Sequence, residues 1–209
     1  MKRVGITQRV EVVERYNERR DCLDQRWSVL LGQCGILPVP LPNSYEYTEN
    51  NLDCYQLDGL ILSGGNDIGG IDGAINAAPE RDHAENLLIE YCLVNNLPIL
   101  GICRGMQMLA VKHGLKLCRV DGHAGCRHSI NTSKEFSWYQ HNGTVNSFHN
   151  YGIKMPDRES EIIPLAWSDD GYMEALRHVR YMHYGIMWHP ERERTYSKGD
   201  LSVIRHLFL

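Results

Sequence analysis

The first residues in this sequence whose types and spacing could do chemistry are Gly101-Ile102-Cys103-Arg104-Gly105-Met106-Gln107. Cys103 has a glycine two residues away on either side, an apolar run before it and a helix-like run after it. This is the pattern of a Gly-x-Ser-x-Gly nucleophile elbow with sulfur in place of oxygen. A nucleophile raised on a strained strand-to-helix turn needs neighbours without side chains that would collide with adjacent strands, and the two glycines meet that need. A cysteine at a helix N-terminus also faces partial positive charge and free N–H groups, which favour the thiolate.

A thiolate nucleophile needs a base that later protonates the leaving amine, and the base needs an orienting group. Ten histidines are available. His189-Pro190-Glu191 stands apart because it directly follows the strand-like Tyr184-Gly185-Ile186-Met187-Trp188. An imidazole and a carboxylate would then leave the same strand end, their spacing stiffened by the proline. By itself that pattern also fits a plain strand-to-loop exit, and His149 stays a further candidate. An acyl intermediate needs donors for its oxyanion; the Gly64-Gly65 turn can offer one bare backbone N–H, and the amide of Arg104 a second. His123, Cys126 and His128 are close enough in sequence to raise a metal site. No second matching pair accompanies them, so the expectation is a polar loop near the site and no metal.

The elements that would carry these groups alternate strand and helix. Val4–Thr7 reads as a short strand. Trp27, Leu30, Leu31 and Cys34 recur at i, i+3, i+4, i+7 as a helix stripe, with Gly35 placed to end it. Residues 37–41 hold two prolines and suit an exposed strand. Leu60–Leu62 and Ile99–Ile102 are short buried strands. Between them Ala84, Leu87, Leu88, Tyr91 and Cys92 share a helix face, with Pro98 beyond its end. A helix over 106–113 closes at Gly114. Short strands follow over 117–120, 143–148, 162–167, 173–177 and 183–188. Asp200 reads as the N-cap of a last helix carrying Leu201, Ile204, Leu207 and Phe208. The fold class expected is α/β, a mostly parallel central sheet flanked by helices with an antiparallel extension. No repeat or linker divides it, so residues 1–209 read as a single domain.

A chain of 209 residues can bury one sizeable core. Its 43% hydrophobic and 23% charged residues are ordinary for a globular protein, and a net charge of −4 gives no reason to expect nucleic acid or an anionic membrane as partner. No run reaches the roughly 18 apolar residues of a membrane span. Seven cysteines, an odd number with no CxxC pair, fit a reducing cytoplasm better than a disulfide framework.

In combination these motifs resemble the class I glutamine amidotransferase-like, flavodoxin-like proteins, and within them the γ-glutamyl hydrolase branch. Gly64-Gly65-Asn66-Asp67, Arg81-Asp82, Pro98 to Gln107, Val145-Asn146-Ser147-Phe148-His149 and His189-Pro190-Glu191 fall in that family's order. The resemblance implies a Cys103, His189, Glu191 triad working through a γ-glutamyl thioester. It implies an oxyanion hole from the backbone of Gly65 and Arg104, and a glutamyl head near Gln107 and the Val145-Asn146-Ser147 strand. No cofactor is implied, and the partner expected is a small γ-glutamyl substrate; the oligomeric state stays open, a homodimer included. Only 13 residues separate Asp67 from Arg81, shorter than is usual in the branch, which implies a more open leaving-group side. This compactness resembles the γ-glutamyl-CDP-amidate hydrolases of capsular phosphoramidate synthesis more than the γ-glutamyl-γ-aminobutyrate hydrolases. Arg9, Arg15, Arg19 and Arg20 in a first loop and helix, with Arg127 and His128, could meet a diphosphate. Two other readings remain: a glutaminase component feeding ammonia to a separate synthase, and a non-catalytic redox sensor using the Cys103 thiol.

Overall fold

The computed structural model describes residues 1–140, 143–156 and 160–209. The chain runs through β1 (Lys2–Thr7), β2 (Arg9–Val13), β3 (Glu18–Cys22), α1 (Arg26–Gln33), β4 (Ile36–Leu41), α2 (Glu49–Tyr55) and β5 (Gly59–Leu62). Next come α3 (Pro79–Val94), β6 (Ile99–Ile102), α4 (Arg104–Lys112), β7 (Leu117–Arg119), β8 (Ala124–Ser129) and β9 (Asn131–Thr132). The last part holds β10 (Thr144–Phe148), β11 (Tyr151–Ile153), β12 (Ile162–Trp167), β13 (Met173–His178), β14 (His183–Ile186) and α5 (Lys198–Phe208).

An eight-stranded sheet in the order β4-β1-β5-β6-β14-β13-β12-β9 organises these elements. The first five strands are mutually parallel, and β13, β12 and β9 continue antiparallel. Numbered along the chain, the parallel strands lie 2-1-3-4-5, the flavodoxin-like order, so the α/β expectation with its antiparallel extension holds. In such sheets ligands bind beyond the carboxyl ends of the strands. Gly64-Gly65, Cys103 and His189 all follow the carboxyl ends of parallel strands.

Side chains alternate between two cores, as the period of two in a strand requires. On one face Val4, Ile6, Ile61, Leu100 and Ile102 meet Trp27, Leu30 and Leu31 of α1 and Val203, Ile204 and Leu207 of α5. On the other, Leu60, Leu62 and Ile99 meet Leu52 of α2 and Ala84, Leu88, Ile89 and Cys92 of α3. Each such side chain contributes about 1.5–3 kcal/mol by leaving water.

Three local expectations change. Ser197, not Asp200, caps α5: its hydroxyl accepts from the Asp200 amide at 2.9 Å. Asp200 sits three residues in, where its carboxylate accepts from Trp188 Nε1 and Tyr139 OH at 2.8 and 2.9 Å. Residues 9–22 form the hairpin β2–β3 instead of a loop and helix, with Glu11 opposite Arg20 across the strands. Finally, the expected polar loop around Cys126 and His128 is β8, paired antiparallel with β10. Among the described residues no helix is long and apolar enough to cross a membrane.

Candidate active site

β6 ends at Ile102, and Cys103 turns the chain into α4 with φ 51° and ψ −105°. A non-glycine residue there stores roughly 1–3 kcal/mol of strain, held in place by its surroundings. Its amide donates to the Ile186 carbonyl at 2.8 Å, tying the turn to β14. The flanking glycines are close approaches. A Cβ on Gly101 would lie 2.5 Å from the Gly105 carbonyl carbon, and one on Gly105 would lie 2.0 Å from the Leu62 carbonyl oxygen. The first turn of α4 therefore rests directly on β5 and β6.

His189 follows β14 and is buried. Its ring lies on Gly64, where an added Cβ would come 2.5 Å from Cε1. Glu191 Oε1 is 2.6 Å from His189 Nδ1, so the carboxylate holds that nitrogen's proton and leaves Nε2 as the working nitrogen. Asn146 grips the His189 backbone on both sides: its Oδ1 accepts from the amide and its Nδ2 donates to the carbonyl, both at 2.8 Å. Phe148 stands edge-on to the ring at 5.6 Å. Burial pulls the imidazole toward its neutral form. The negative charge of a Cys103 thiolate, a hydrogen bond to it and the Glu191 carboxylate outweigh that, and the imidazole is pushed up to about 9. Because this value is raised from 6.5, the imidazolium supports the fold fully below pH 6.5, and that support is lost as pH rises through 9. If the imidazolium protonates the leaving amine, kcat/KM should fall above pH 9. Glu191→Gln removes one raising cause, so the limb should move to lower pH in a pH–rate profile.

The donor at Gly65 is aimed from below. Buried Arg81 donates through Nη1 to the carbonyls of Gly64 and Gly65, at 3.1 and 2.6 Å, and through Nη2 to that of Ser63 at 2.6 Å. Carbonyl and amide point opposite ways across a trans peptide. With the Gly64 carbonyl drawn to Arg81, the Gly65 N–H is turned the other way, on the cavity side. Gly65 itself has φ 86°, open only to a residue without Cβ strain. The Arg104 amide opens α4, where the first N–H groups have no intrahelical acceptor. The Arg104 guanidinium takes no part in the cavity chemistry. It pairs, buried, with Glu85 and Asp82.

These groups share a cavity of about 220 Å³ lined by Gly65, Cys103, Arg104, Gln107, His189 and, from regions the sequence left unassigned, Arg9, Asn66, Asn76, Phe148, Tyr151 and Arg192 among others. Of the four residues expected at the glutamyl head, Gln107 lines it, with Nε2 donating to the Tyr151 carbonyl at 2.8 Å. The side chains of the other three are committed elsewhere. Val145 lies in the core, Asn146 holds His189, and the Ser147 hydroxyl donates to the His123 carbonyl. Among the cations expected at the rim, Arg9 faces the cavity. Arg127 lines an adjoining groove with Arg192 and pairs with Glu193. Arg19 and Arg20 are ion-paired with Glu80 and Glu18, Arg15 lies over Tyr16, and His128 turns away. Arg192, which sequence reasoning passed over, lies 4.5 Å from the centre of the Phe148 ring.

Residues 3–191 match the family model for Peptidase C26. A γ-glutamyl-CDP-amidate hydrolase of Campylobacter jejuni is 35% identical over 206 residues, covering 98% of this chain and 96% of the relative. The glutamine-hydrolyzing subunit of GMP synthase from Methanococcus maripaludis is 30% identical over 79% of this chain and 81% of its own length. Among solved structures, a protein from Thermoplasma acidophilum described as a GMP synthase subunit superposes with a TM-score of 0.71 at 22% identity, over 100% of this chain and 92% of that one, which is a likeness of fold.

Proposed function

We propose, from the premise that this chain belongs to the Peptidase C26 family and is a hydrolase of carbon–nitrogen bonds, that residues 1–209 form one domain that cleaves γ-glutamyl amides through Cys103. The observation that carries this reading is a strained cysteine at a helix N-terminus, hydrogen-bonded to a buried histidine that a glutamate orients. The Cys103 thiolate attacks the γ-carbonyl, and the amides of Gly65 and Arg104 stabilise the resulting oxyanion. His189 passes its proton to the leaving nitrogen as the C–N bond breaks, giving a γ-glutamyl thioester. It then takes a proton from water, whose attack releases glutamate and regenerates the thiolate. Gln107, with the backbone of residues 145–147, suits the glutamyl head.

The favoured substrate is a γ-glutamyl-CDP-amidate. The full-length likeness to a hydrolase of that compound supports it, and so does the rim, where Arg9 and Arg192 supply cations and Phe148 an exposed aromatic face. The second reading, a glutaminase component serving a synthase, draws on the likeness to the glutamine-hydrolyzing subunit of GMP synthase. Glutamate release from glutamine, γ-glutamyl-aminobutyrate, a γ-glutamyl peptide and γ-glutamyl-CDP-amidate separates the two. The nucleotide amidate should outrun glutamine by orders of magnitude. Arg192→Ala should raise its KM about tenfold, the loss of one charge-assisted contact, and leave that of glutamine nearly unchanged. Uniformly slow turnover with glutamine no worse than the rest would favour the glutaminase reading.

A further inference from the structure

Behind β10, on the side away from Cys103, three histidines and a glutamate converge from four separate places in the chain. His123 precedes β8, His128 lies within it, His149 follows β10, and Glu174 is on β13. His123, His149 and Glu174 are buried and His128 is half-buried. The ligand atoms of all four lie within 4.8 Å of one another. Glu174 Oε1 is 3.5 Å from His123 Nδ1, 3.6 Å from His128 Nε2 and 3.5 Å from His149 Nε2, and the His123 and His149 nitrogens are 3.3 Å apart.

The spacings from Glu174 are too long for good hydrogen bonds. Neither oxygen of Glu174 nor Nε2 of His128 has a hydrogen-bond partner among the described residues, although all three atoms are buried. An unpartnered buried carboxylate is costly, so something else must satisfy it. A tetrahedral ion with N and O ligands at about 2.0–2.2 Å has ligand–ligand edges of about 3.3–3.6 Å, which these spacings match.

The opposite nitrogen of each ring is already engaged. His123 Nε2 is 3.1 Å from Asp170 Oδ2, His128 Nδ1 is 3.0 Å from the Ser129 carbonyl, and His149 Nδ1 is 2.9 Å from the Tyr151 carbonyl. A carboxylate or carbonyl at that position holds the ring proton, which turns the lone pair of the other nitrogen toward the centre. Metal-ligating histidines are oriented in this way. Three imidazole lone pairs and a carboxylate facing one point repel unless a cation sits between them.

We propose that His123 Nδ1, His128 Nε2, His149 Nε2 and Glu174 Oε1 bind one divalent transition ion, Zn²⁺, in a closed tetrahedral site. Four protein ligands leave no open position for a substrate or a reactive water, so the role is structural. The site ties β8 and β13 to the strand whose Asn146 grips His189 and whose Ser147 hydroxyl donates to the His123 carbonyl. Cys126, adjacent in sequence, is excluded; its thiol donates to the Gly122 carbonyl.

The test uses the full chain as Cys103→Ser, which removes the thiolate that could otherwise capture a metal. The protein is stripped with a chelator and titrated with Co²⁺. About one equivalent should bind, giving the intense visible bands of four-coordinate cobalt without a sulfur-to-metal band, and Zn²⁺ should displace it and raise Tm. Asp170→Asn changes a half-exposed side chain that touches the ion only through His123, and should weaken binding about 10–100-fold. His128→Ala should abolish the stoichiometric site. Failure of the stripped protein to bind Co²⁺, or unchanged binding in both Asp170→Asn and His128→Ala, would overturn the proposal and mean that protons hold the cluster together.

Discussion

Cys103→Ala is expected to fold as the parent protein does and to lose roughly six orders of magnitude in turnover of any γ-glutamyl amide. The loss is large because no neighbouring group can replace the sulfur. The nearest alternative, water activated by His189, forgoes the thioester and the split of one hard step into two easier ones. The fold should survive because alanine meets the same φ of 51° that cysteine already tolerates and leaves a gap of only one atom at the cavity floor. Its Tm should stay within a few degrees of the parent, since the strain is common to both. His189→Ala should cost about two to four orders of magnitude through lost proton transfer. The two changes should not add: with the nucleophile gone, removing the base has little left to remove, so the double variant should be about as slow as Cys103→Ala alone. Glutamate release with pure variants reads all three. Retained activity in Cys103→Ala would end the thioester mechanism, and additive losses would mean that His189 acts elsewhere than on Cys103.

What the sequence revealed of this site was whatever depends on neighbours along the chain. The Cys103 elbow could be read because its constraint is local: glycines at 101 and 105 are needed where α4 crosses β5 and β6, and both lie within two residues of the nucleophile. His189 and Glu191 could be read because one short turn after β14 carries both. Groups assembled across the fold stayed hidden. Arg81 and Glu85, four apart on α3, look like an ordinary solvated pair, yet both are fully buried. The His123, His128, His149 and Glu174 cluster depends on β8 pairing with β10 and on β13 packing behind them, so its fourth member lies 46 residues beyond His128. A search confined to nearby positions found two of its ligands and offered Cys126 as a third. The β2–β3 hairpin was missed because its residues are mostly exposed and charged, which leaves no apolar alternation to announce a strand.

Glu85→Ala should be the most destabilising single change near the site, lowering Tm by roughly 6–20 °C. Glu85 is fully buried and accepts from Arg81 and Arg104, which are buried as well, and from the Thr7 hydroxyl at 2.8 Å. Burial alone would push its carboxyl up, but the Arg104 and Arg81 charges override that and hold it below its usual value. Removing one partner of a buried ion network leaves the other charges uncompensated, at about 3–5 kcal/mol. For a chain of this size each kcal/mol is worth about 2–4 °C. The contrast is Glu80→Ala, whose partner Arg19 is half-exposed; that pair is worth under about 1 kcal/mol and its loss should hardly move Tm. Since the Glu85 value is depressed, its contribution is present at neutral pH and lost as pH falls below about 4.5, so the gap between parent and variant should close in acid. The same network fixes the catalytic geometry proposed above. Arg81, freed from Glu85, can swing off the Ser63, Gly64 and Gly65 carbonyls, and the Gly65 N–H then loses its fixed direction. At temperatures where the variant is still folded, kcat should fall more than KM rises, because a donor aimed at the oxyanion acts in the transition state and little before it. A full loss of stability with kcat intact would mean that the Gly64-Gly65 turn holds its shape without Arg81.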